Sequence, residues 1–150
     1  MASTEKKSHI ETVHHEGYDP NIVSPFVPAI KVHSGKLVFL AGVTAAPPYH
    51  DHPHRPEVFD VLPRDIEGQV GLAFEHLDLA LEASGCMRSD IVSLTRFFSN
   101  VREHQDAVNR FQMEWFGGHI PTSTTVEVRG FATDPRILLE IQAIAVAPEG

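Results

Sequence analysis

The chain has 150 residues, which suits one domain with a substantial core. Twelve Lys and Arg against twenty Asp and Glu leave a formal charge of −8, which argues against a surface built to neutralise nucleic-acid phosphates. The lone Cys86 excludes an internal disulfide and no apolar run approaches a membrane span, so a cytoplasmic protein without membrane or nucleic-acid partners is expected.

Residues 1–20 are polar and mixed in charge, lack the apolar segment of a signal peptide, and read as a flexible lead-in. Ser24 to Pro28 is turn-like. Ala29–His33 and Leu37–Ala41 flank Ser34-Gly35, and two short apolar runs across such a turn predict a β-hairpin. Thr44 to Pro63 is irregular, with five prolines and the run His50, Asp51, His52, Pro53, His54. Asp65 opens a predicted helix in which Ile66, Val70, Phe74, Leu77 and Leu81 recur at helical spacing, with Gly85 beyond its end. Asp90–Ser99, rich in β-branched and aromatic residues, predicts a strand; Val101 to Phe116 predicts a second helix with Val108, Phe111 and Trp115 inward.

The last third predicts two more strands, over 119–128 and 138–146. Successive strand side chains point to opposite sides, so Ile137, Leu139, Ile141, Ala143 and Ala145 share an apolar face. Glu140, Gln142, Ile144 and Val146 share the other, and Ser123, Thr125 and Glu127 oppose Thr124, Val126 and Val128. The order ββαβαββ predicts an α+β domain with two helices on one face of a mixed sheet. The half-polar face left over would need a partner chain as its cover, so an oligomer is expected.

With Ser24-Pro25-Phe26, Leu40-Ala41-Gly42, Ala83-Ser84-Gly85, Ser89 to Val92, Asn109, Ile120-Pro121, Val126-Glu127-Val128 and Glu140 to Val146 in this order, the chain resembles the Rid (reactive intermediate deaminase) or YjgF family. The resemblance implies a single Rid-like domain over 21–150 with a chorismate-mutase-like α+β fold. It also implies a homotrimer whose polar sheet faces meet, with clefts between subunits. Members with the best-known activity hydrolyse imines or enamines to a keto acid and ammonia, and work without metal. Their arginine in a Pro-x-Arg motif grips the substrate carboxylate. Here that position is Ser123, and the family's tyrosine is Phe26; Gly42 and Glu140 keep the family's residues.

The expected function is therefore hydrolysis of an imine, an enamine or a related C–N bond of a small metabolite in catabolism, not of the usual 2-imino acids. Glu140 is the candidate catalytic residue, orienting or activating water. Phe26, Gly42, Ser123 and Thr125 are the candidate substrate contacts. Arg96, mid-strand, would either replace the missing cation or pair with a helix carboxylate. His50, Asp51, His52 and His54 have donors suited to a transition metal, but the reading is a solvated loop or lid, with no metal or cofactor expected. A non-catalytic trimer that binds a small ligand is the alternative.

Overall fold

The computed structural model describes residues 8–149. Its elements run β1 (Ile10–Val13), β2 (Ala29–Val32), β3 (Lys36–Val43), α1 (Ile66–Ala83), β4 (Ile91–Phe98), α2 (Val101–Phe116), β5 (Thr122–Glu127) and β6 (Leu139–Ala147). A four-stranded sheet in the order β3-β6-β4-β5 carries the domain, and β1-β2 form a separate two-stranded sheet. β6 is antiparallel to both β3 and β4, whereas β4 and β5 are parallel, with α2 as the connection between them. The expected α+β architecture with a mixed sheet is present.

Both helices start where the sequence caps them. The Asp65 carboxylate accepts from the Gly68 amide at 3.0 Å, and Asn100 accepts from the Glu103 amide at 3.3 Å, each satisfying an amide that the first turn leaves free. The repeat that predicted α1 is the stripe it buries: Ile66, Val70, Phe74, Leu77 and Leu81 pack with Val108, Trp115 and Phe116 of α2 on Leu40, Leu94, Phe98, Leu139, Ile141 and Ala143 of the sheet. Each fully buried Phe or Leu contributes about 2 kcal/mol by leaving water. One sheet face is thereby filled.

Two expectations fail near the N-terminus. Residues 10–13, inside the expected lead-in, form a strand paired with β2. Consequently β2 and β3 are not a hairpin, because β2 is taken by β1 and β3 pairs with β6. Ser34-Gly35 does turn the chain, but it delivers β3 to a different sheet. Gly35 has φ +109°, and a Cβ there would stand 2.5 Å from the Ala147 carbonyl oxygen. Only glycine suits that backbone so close to the last strand. His9 completes the join, with Nε2 2.9 Å from the Val146 carbonyl and 3.0 Å from Asp90.

The proline-rich segment 44–63 is not simply solvated. Phe59, in a 3-10 turn at Pro56–Phe59, is 1% exposed and joins Ala45, Ala46, Leu62 and Ile137 in a second small core. Arg136 ties this segment to the loop before β6, donating to Asp60, Asp134 and the Pro56 carbonyl at 2.7–3.0 Å. No helix among the described residues is long and apolar enough to cross a membrane.

Candidate active site

Glu140 stands on β6 in the row of Phe97, on the face away from the helices. The β3–β6 register breaks between Leu40 and Val43, and Gly42 sits in that irregularity directly against the glutamate. A Cβ on Gly42 would lie 2.9 Å from Glu140 Cδ and 3.0 Å from Oε2. The missing side chain is what makes room for the carboxylate. Glu140 is half-buried and has no hydrogen-bond or ion-pair partner among the described residues, so desolvation pushes its carboxyl above the ordinary range.

Glu140 and Gly42 border a cavity of about 620 Å³ at the β3 edge, walled by α1 through His76 and by the 44–50 segment through Thr44, Tyr49 and His50. The His76 Nδ1–H donates to the Thr44 carbonyl at 2.8 Å, which places that ring's acceptor on Nε2. Thr44 also holds its own loop, its hydroxyl accepting from the Ala46 amide at 3.0 Å. No Lys or Arg is among the lining residues. The cavity is thus lined by one carboxylate, two imidazoles, the hydroxyl-bearing Thr44, Tyr49 and Thr133, and otherwise apolar walls.

The other predicted contacts fall elsewhere. Thr125 lies in the row of Arg96 and Ile141, and Ser123 in that of Leu94 and Ala143, so both belong to the helix-covered side and not with Glu140. The Thr125 hydroxyl accepts from Arg96 Nε at 3.0 Å; Arg96 Nη1 donates to Asn109 at 2.6 Å and to Gln112 at 3.2 Å. Arg96 is 4% exposed, and burial lowers its guanidinium to about 10. It neither replaces the missing cation in the cavity nor pairs with a helix carboxylate: its partners are neutral. Phe26 borders a second recess of about 720 Å³ with Tyr18, Met113 and Ile120, remote in the lining from Gly42 and Glu140.

His76 and Thr44 were missed as site residues. Their meeting joins a helix to an irregular loop, and no spacing within either segment signals it.

Comparison with known proteins supplies the wider setting. The endoribonuclease L-PSP family model matches residues 17–147. A RutC family protein of Pyrococcus horikoshii is 29% identical over 126 residues, 84% of this chain and 90% of that protein. A 2-iminobutanoate/2-iminopropanoate deaminase of Dermatophagoides farinae is 26% identical over 127 residues, 85% of this chain and 89% of the relative. Among solved structures, a Rid family protein, YyfB, from Yersinia pestis superposes with a TM-score of 0.74 at 21% identity, over 93% of this chain and 99% of that one.

Proposed function

The chain belongs to the endoribonuclease L-PSP family, which includes RutC and Rid proteins, and from that premise we propose that it hydrolyses a small imine or enamine bearing no carboxylate. The reaction adds water across C=N to give a carbinolamine, which expels ammonia and leaves the carbonyl; an enamine first takes a proton at carbon to become the imine. Glu140 orients the water and accepts its proton as the C–O bond forms, then returns a proton to the departing nitrogen. A desolvated carboxyl with a raised pKa suits both transfers near neutral pH. Gly42 keeps the space beside that carboxylate open.

The substrate class rests on one observation: a cavity bordered by Glu140 holds no Lys or Arg. A 2-imino acid would bring its carboxylate beside another carboxylate with no guanidinium to receive it, and Ser123 stands where the family's arginine would be. Self-association as a homotrimer through the uncovered sheet face belongs to the same proposal. It is supported by Leu37 and Phe39, 59% and 74% exposed there. The net charge of −8 favours small metabolites over RNA.

An ammonia-release assay on the full chain tests the reading, with 2-iminobutyrate beside a panel of neutral imines and enamines. Faster release from neutral compounds is the expected result; preference for the 2-imino acid overturns the substrate class. The missing arginine also favours a second reading, a ligand-binding protein without turnover. Calorimetric binding of the neutral compounds with no ammonia released would select it.

A further inference from the structure

We propose that His50, His52 and His54 form a binding site for a divalent transition metal of the zinc class. Each imidazole offers one nitrogen, and the three ligand atoms lie within 4.8 Å of one another. The chain bends at His52 and Pro53, and the three rings gather there with centroids 4.5–5.1 Å apart.

The protonation pattern suits ligation. The His50 Nδ1–H donates to the Pro47 carbonyl at 2.8 Å, so the lone pair sits on Nε2. That is the outer bond a metal-binding histidine ordinarily makes, fixing both its tautomer and its ring orientation. The Nε2 atoms of His50 and His54 are buried and have no hydrogen-bond partner. Two partnerless buried nitrogens facing one cluster are costly, and a shared cation removes that cost. Behind them Phe59 stands edge-on, its centroid 5.2 Å from His50 and 5.9 Å from His54, giving the site an apolar, well-packed back wall.

The donor set selects the metal. Asp51 is engaged by Arg55 at 2.7 Å, which leaves three imidazoles and no carboxylate. Such a set suits Zn²⁺, Cu²⁺, Ni²⁺ or Co²⁺ and not the oxygen-seeking Mg²⁺ or Ca²⁺. Tetrahedral Zn–N bonds of about 2.1 Å would bring the nitrogens to about 3.4 Å, a contraction to which exposed His52 can contribute by ring rotation. Three ligands leave one coordination position open. Because His50 also lines the cavity with Glu140, the cation would pin the loop that forms that cavity's wall.

The test is metal binding by the metal-stripped full chain, measured without substrate and so independent of the hydrolysis reading. Calorimetric titration with ZnCl₂ and visible absorption with Co²⁺ should each report one equivalent per chain, with intense four-coordinate cobalt bands. MgCl₂ should give no heat. His52→Ala, at an exposed position, should weaken Zn²⁺ binding by about tenfold or more, and His50→Ala/His54→Ala should abolish it, with the fold checked by circular dichroism. His33→Ala, on β1's partner side, should bind like wild type. Absence of stoichiometric Zn²⁺, or His52→Ala binding as tightly as wild type, overturns the proposal. If the double variant does not fold, His52→Ala alone decides.

Discussion

The two faces of the four-stranded sheet handle polar side chains in opposite ways. On the helix-covered face Arg96 is buried, yet Thr125, Asn109 and Gln112 share its donors, and its charge is spent on holding β4, β5 and α2 together. On the other face Glu140 is only half-buried and has no partner among the described residues. Burial alone would rank Arg96 as the more unusual group. Satisfaction reverses that ranking: a buried polar group with its bonds made is architecture, whereas a desolvated one with none is available for chemistry.

The largest expected effect is on turnover. Glu140→Gln should reduce ammonia release by about 10²–10⁴-fold, the range for loss of a general base, while the urea midpoint stays the same or rises. Turnover within twofold of wild type would end the contrast between the faces. Arg96→Leu should do the reverse, costing about 3 kcal/mol in urea unfolding because three amide or hydroxyl partners lose their donor in a dry site. Its turnover per folded molecule should hold, and a stability loss below about 1 kcal/mol would mean that the network is ornamental.

Phe39→Asp should weaken self-association by about 2 kcal/mol, near the value of one buried aromatic, and sedimentation of a concentration series would show it. An unchanged assembly would leave the open face without its proposed cover. The smallest effect is in pH. Glu140 titrates above its ordinary 4.5 when folded, so its protonated form favours folding. That stability is fully present below the unfolded value and is lost as pH rises through the raised folded one. Turnover, which needs the carboxylate, should climb over the same interval, and Glu140→Gln should flatten both profiles.

Both helices were legible in the sequence because their apolar repeats are local: Asp65 marks the start of α1, and the buried stripes of both helices follow the spacing. The alternation of β6 correctly separated Leu139 and Ile141 from Glu140. Pairing was not legible. A Ser-Gly turn between two apolar runs says that the chain bends, not which strand it meets, and β1, set in a polar stretch, supplied the competitor for β2. The same gap left open which face of the sheet Ser123 and Thr125 take. Alternation defines two faces within β5 but not which of them meets Glu140; that follows from the register with β4.

Gly42 sets a constraint of the lock-and-spacer kind. A single methyl group at position 42 would overlap the Glu140 carboxyl, with 2.9 Å between Cβ and Cδ, and would act as an inhibitor built into the chain. A side chain at position 42 would therefore have to displace the end of Glu140, so a change at one position is felt at the other. Gly42→Ala calls for a shorter acid opposite, and pairing it with Glu140→Asp should recover part of what either change loses alone, a compensation that marks the two residues as one unit.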